Sequence, residues 1–214
     1  MSETLSEQIL RENAAVFEEM VTQRFVEDIK ADRLAPDVFD RYLVFEGAFV
    51  DTAISVFAYA TAKATDIEHK RKLIGVQDAL ANRQISYFET TLTERGIDPG
   101  LYDTRRRDVA AFRDGMLAIA KAGEYLDIIA AMFAAEWMYW TWSKAAGAGP
   151  ISDPLLKDWV DMHTAPDFEA GAKWMKDVLD EAGACLEPSE RRHLSAIFGR
   201  VQRLEIDFHE AAYG

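Results

Sequence analysis

The chain has 214 residues, enough for one domain with a large core, and its formal net charge of −13 argues against a nucleic-acid-binding surface, which needs clustered Lys and Arg. Cys185 is the only cysteine, which excludes an intramolecular disulfide and a thiolate metal cage. The opening stretch MSETLSEQILRENAAVFEEM has acids where a secretory signal has a basic end and an apolar run, so a cytoplasmic location is expected.

Residues 3 to 31 place Leu5, Ile9, Val16, Phe17, Met20, Val21, Phe25 and Ile29 at spacings of three and four, which predicts one amphipathic helix capped by Ser2 or Thr4. Pro36 suits the first turn of a second helix running to about Ala64. Its middle, FDRYLVFEGAFVDTAISVFAYA, is an apolar band interrupted by Glu46. Asp66 caps a third, more polar helix that ends at Glu94 or Arg95 before Gly96. Its inward candidates are Leu73, Val76, Leu80, Ile85, Phe88 and Leu92. A fourth is expected from Asp103 or Thr104 to about Lys121, with the basic run Arg105, Arg106 and Arg107 on its solvated start.

The fifth stretch, Tyr125 to Ser143, is apolar almost all round a helix, and such a helix either spans a membrane or forms the centre of a domain. Asp127 and Glu136 argue for the second, and no membrane partner is expected. The neighbours of Glu136 at three and four residues are Met132, Phe133, Tyr139 and Trp140, so its own helix supplies no basic partner. A buried carboxylate either hydrogen-bonds to a nearby Tyr or Trp, reaches the surface at a bend, or marks a site. Trp137, Tyr139, Trp140 and Trp142 are equally two-sided: core packing, or a wall for a flat polar ring. Gly147 to Pro150 closes this helix. Ser152 or Asp153 caps a short one through His163, Pro166 begins another to about Ala182, and Pro188 begins the last, to Ala212.

No segment alternates with period two, so the chain is read as all-α, a single domain over residues 1–214 with seven to eight helices in a bundle around the second and fifth. Glu46, Glu136 and Glu205 then lie on three core helices and are expected to converge on one aromatic-lined cavity. Carboxylates inside a bundle serve metal binding or acid–base chemistry. A di-iron site needs about two histidines with Glu-x-x-His spacing. None accompanies Glu46 or Glu136, so no metal is expected, although Glu205 and His209 are four apart.

The stretches PDVFDRYLVFEGAFV, AAMFAAEWMYWTW, PLLKDW and LEIDFHEAAY, in this order and at these intervals, resemble the TenA (thiaminase II) family over most of the chain. The resemblance implies a haem-oxygenase-like helical fold and removal of an amino group from an aminomethyl-pyrimidine in thiamine (vitamin B1) salvage. It also implies no cofactor, and homo-oligomers, dimers or tetramers. Position by position, the family's pyrimidine-binding acid falls on Glu46, a pocket tyrosine on Phe49, the terminal acid on Glu205 and a second pocket tyrosine on His163. The family's Cys-Tyr-Trp-x-Tyr falls on Ala135-Glu136-Trp137-Met138-Tyr139, so the nucleophilic cysteine is absent. The chain resembles the branch in which a glutamate takes its place, although Glu136 stands one position on.

The expected enzyme is therefore a cysteine-independent aminopyrimidine aminohydrolase acting on an aminomethyl- or formylaminomethyl-pyrimidine. Glu136 would act as base or nucleophile, Glu205 as proton donor, and Glu46, Phe49, Trp137, Tyr139 and His163 would bind the ring. The alternatives are a haem-oxygenase-like metal-dependent oxidase using Glu46, Glu136, Glu205 and His209, and a non-catalytic small-ligand-binding homologue.

Overall fold

The computed structural model of the chain describes residues 3–214. Among them are eleven α-helical segments, α1 (Leu5–Glu12), α2 (Ala14–Thr22), α3 (Arg24–Lys30), α4 (Pro36–Lys63), α5 (Ile67–Asp78), α6 (Ile85–Glu94), α7 (Arg107–Ala122), α8 (Tyr125–Ala146), α9 (Pro154–Thr164), α10 (Pro166–Gly183) and α11 (Pro188–Glu210). The described residues form no strand. The chain divides into two compact units. The first is the chain up to Leu34 with Ile129–Ile206, and the second is Ala35–Ile128 with Asp207–Gly214.

The count exceeds seven to eight because the first expected rod is interrupted and the third changes helix type midway. Residues 3–31 break at Asn13 and Gln23 rather than forming one helix. Asn side chains compete with the helix for backbone partners, and Asn13 Nδ2 donates to the carbonyls of Ile9 and Ser195 at 2.9 and 3.0 Å. The third rod is continuous but passes through a π-helical turn, Ala79–Gln84, between α5 and α6.

Helix ends mostly follow local chemistry. Thr4 and Glu7 make a reciprocal capping box, with Thr4 N donating to Glu7 Oε2 at 2.9 Å and Glu7 N to Thr4 Oγ1 at 3.3 Å. Ser2, the other candidate cap, lies outside the described residues. Asp66 accepts from Glu68 N and His69 N, and Asp153 from Leu155 N and Leu156 N. Gly96, at φ +67°, ends α6 in a Schellman turn: Gly96 N donates to Thr93 O and Ile97 N to Leu92 O. The fourth helix starts later than expected. Asp103 accepts from Arg105 N in a preceding turn, and Arg106 occupies the cap of α7.

In the first unit α8 is buried without a break from Ile129 to Ala135, as its all-round apolar sequence requires. Among the described residues the helix long and apolar enough to cross a membrane is instead α4. Over an 18-residue window of α4 the mean hydropathy is 1.5 and 61% is buried inside the protein.

Glycine allows one close approach in this unit. A Cβ on Gly183 of α10 would stand 2.5 Å from Cβ of Leu5, which is fully buried on α1. Gly183→Ala should therefore destabilise the protein by roughly 1–3 kcal/mol, the usual cost of overpacking. Gly171→Ala, in the same helix with open space around it, should gain up to about 1 kcal/mol from helix propensity. Urea unfolding of both variants checks the pair. Equal midpoints would show that α1 does not press on α10.

Candidate active site

Five of the seven candidate residues, Glu136, Trp137, Tyr139, His163 and Glu205, belong to the first unit, and Glu46 and Phe49 belong to the second.

In α8, Met132, Phe133, Tyr139 and Trp140 around Glu136 are all buried, while Glu136 itself keeps part of its surface accessible. Burial nevertheless pushes its carboxyl up to about 7. The two observations agree if the carboxyl is crowded by protein yet open on one side, the profile of an acid–base group poised near working pH. Trp137, also partly accessible, lies 4.8 Å from the Trp140 ring and 5.3 Å from Phe133.

His163 is 3% exposed, so it is a buried and not a surface histidine. Its ring stacks on Tyr139 at 4.8 Å and 27°, and meets Trp159 edge-on at 4.1 Å. Nδ1 lies 2.8 Å from the Trp159 carbonyl. A carbonyl only accepts, so Nδ1 carries the hydrogen there and Nε2 is the ring's acceptor. Burial pulls the ring down to about 4, which keeps it neutral at neutral pH. Tyr139 and His163 thus form a fixed aromatic pair whose one free ring nitrogen accepts rather than donates.

Glu205 lies on α11 with no accessible surface. Within this unit α11 meets α8 through the Phe198–Phe133 ring pair at 5.5 Å and through Gln202, whose Nε2 donates to the Ala134 carbonyl at 2.7 Å. Glu205 follows Gln202 by three residues and Phe198 by seven, which puts it on the same, α8-facing side of the helix. Of these two acids, then, Glu136 is partly accessible and Glu205 is sealed.

In the second unit Glu46 is 5% exposed on α4, and Phe49, one turn on, stacks on Phe112 at 4.3 Å and 25°. Phe112 in turn lies 5.2 Å from Phe208. One turn before Glu46, the buried Tyr42 packs against His209 at 5.4 Å and 31°. Tyr42 was missed from sequence, although its spacing of four from Glu46 was the available signal. His209 belongs to this unit and Glu205 to the first. Among the described residues no group of three or more His, Cys, Asp or Glu is set to hold a metal ion. A cavity of about 440 Å³ in this unit is lined by Val44, Gly47 and Ala48 of α4 with Ile85, Phe88 and Leu92 of α6. It opens on a different face of α4 from Tyr42, Glu46 and Phe49, and none of the seven candidates lines it.

Comparison with known proteins matches residues 16–214 to the model of the TENA/THI-4/PQQC family. An aminopyrimidine aminohydrolase of Halalkalibacterium halodurans is 25% identical over 193 residues, 88% of this chain and 86% of that protein. The crystal structure of a TenA homologue from Pyrococcus furiosus superposes with a TM-score of 0.89 at 19% identity, covering 98% of this chain and 100% of the other. A Shewanella denitrificans domain described as having a haem-oxygenase-like fold superposes at 0.74 and 12% identity, covering 96% and 90%. The expected all-α, haem-oxygenase-like fold is therefore observed.

Proposed function

The chain belongs to the TENA/THI-4/PQQC family, and from that membership we propose that it hydrolyses an aminomethyl- or formylaminomethyl-pyrimidine in thiamine salvage. The observation that carries this reading is Glu136: an acid in the helix where the family places its cysteine, part-open, with its carboxyl raised to about 7 by burial. In the general-base route, Glu136 takes a proton from water as the water oxygen bonds to carbon. The C–N bond breaks, and Glu205 protonates the departing nitrogen. From an aminomethyl group the nitrogen leaves as ammonia and a hydroxymethyl group stays on the ring, and a formylamino group is split into formate and amine. Glu205 reaches the reacting atoms by a shift of the side chains that seal it. Glu46 grips the aminopyrimidine, and Phe49, Trp137, Tyr139 and His163 frame the ring, His163 accepting at Nε2. The enzyme works as one domain and as a homo-oligomer in the cytoplasm, without cofactor or metal, and binds neither nucleic acid nor membrane.

The test is the purified chain with each pyrimidine, following ammonia or formate release. Catalytic release supports the reading. Binding without release would leave a ligand-binding homologue, and activity lost on chelation with release of iron or manganese would favour the oxidase. If Glu46 grips the ring equally in ground and transition states, Glu46→Gln should raise KM about tenfold or more and leave kcat nearly unchanged. A fall in kcat with KM unchanged would move Glu46 into the chemistry.

A further inference from the structure

Gln202 is fully buried, and its two amide atoms fare differently. Nε2 donates to the Ala134 carbonyl at 2.7 Å. Oε1 has no hydrogen-bonding partner among the protein's atoms. The orientation is not arbitrary, since a flipped amide would set Oε1 against a carbonyl oxygen. The Ala134 carbonyl lies within α8, where the helix ladder already supplies an N–H, so the bond from Gln202 is a second one on that oxygen. A sealed amide oxygen without a donor costs about 1–3 kcal/mol, which offsets the benefit of the bond at the other end. An apolar side chain of similar length would serve stability as well or better. Stability therefore does not account for glutamine here, whereas its position does. The α8 turn from Ala134 to Met138 contains Glu136, and the α11 turn that begins at Gln202 contains Glu205.

We propose that Gln202 is a positioning residue, whose single hydrogen bond between two buried helix turns sets the turn carrying Glu205 against the turn carrying Glu136. It acts through both acids and touches no substrate. The proposal rests on the assignment of Glu136 and Glu205 to the reaction. Misplacement of reacting groups by about 1 Å can cost on the order of 10²-fold in rate, so a partial loss of register should be visible.

The experiment uses Gln202→Met in the full chain, which keeps length and removes both polar atoms. The melting temperature should stay the same or rise, kcat on the aminopyrimidine should fall about tenfold or more, and KM should change little. In a Glu136→Gln background the same substitution should have almost no further effect, because the acid to be positioned is gone. Unchanged kcat would overturn the proposal while leaving the proposed function standing. So would an equal loss in both backgrounds, or a lower melting temperature with normal kcat. A readout without substrate covers failure of the functional reading itself. The carboxyl 13C shifts of Glu136 and Glu205 should move in Gln202→Met while that of the exposed Glu18 stays. Unmoved Glu136 and Glu205 shifts would overturn the positioning role even if no pyrimidine is turned over.

Discussion

Glu136→Gln is expected to lower turnover of an aminomethyl- or formylaminomethyl-pyrimidine by roughly 10²-fold or more, the range for losing a general base. Glutamine keeps the shape and the hydrogen-bonding reach of the side chain and removes only its ability to ionise, so binding should survive better than turnover. In the wild type, activity should rise with pH as Glu136 loses its proton near its pKa of about 7, and this limb should vanish in the variant. Cys185 is exposed, between α10 and α11, and alkylating it should leave the wild type active. Full activity in Glu136→Gln, or inactivation by alkylation of a still-folded protein, would sink the assignment.

The same substitution should stabilise the folded protein, and more at high pH than at low. Burial raises the Glu136 carboxyl from 4.5 to about 7. Below about 4.5 both folded and unfolded chains hold the proton and there is no difference between them. As pH rises through the window from 4.5 to 7 the unfolded chain ionises first, so wild-type stability falls, and above 7 the loss is complete. His163 works in the opposite sense. Its folded value is lowered from 6.5 to about 4, so its contribution is present above 6.5 and is lost as pH falls toward 4. The two slopes partly cancel in the wild type between 4.5 and 6.5. Removing Glu136 leaves only the histidine's slope. The stability gap between Glu136→Gln and wild type should therefore be near zero at pH 4, open through the window, and level off above pH 7. It should reach at most about 3 kcal/mol, less to the extent that water reaches the carboxyl. Urea unfolding at pH 4, 5.5 and 8 measures it. A gap of the same size at all three would mean that Glu136 does not titrate as its burial requires. The gain in stability with loss of turnover is the trade expected where a site keeps a charge in apolar surroundings for its chemistry.

Helix type and most helix ends were legible in the residues because both depend on neighbours within one turn. Caps such as Thr4, Asp66 and Asp153 and the stop at Gly96 bond to backbone groups no more than five residues away. Apolar residues on every side of α8 likewise required burial before any partner was known. The resemblance of four motifs to the TenA family survived comparison with known proteins, since motif order and spacing are properties of the chain itself. The π-helical turn had no signal of this kind: Ala79, Leu80, Ala81, Asn82, Arg83 and Gln84 are compatible with an ordinary α-helix.

What the amino-acid sequence determined by itself was an all-α chain, its capped helices, and three glutamates on helices otherwise made to be buried. Tertiary structure alone decided where those helices break and what the buried groups become. Asn13 ends α1 with an amide that also bonds Ser195, 182 residues along, and it finds room because Gly199 has no Cβ to fill the 2.2 Å left there. Gln202 meets Ala134 across 68 residues. Likewise the bond from His163 to Trp159 spans one turn of α9, but the neutrality of that ring comes from the burial around it. The physical reason is common to all of these. Hydrogen-bond geometry within a turn is set by nearby residues, whereas desolvation and close packing are set by whichever distant residues fold against a group.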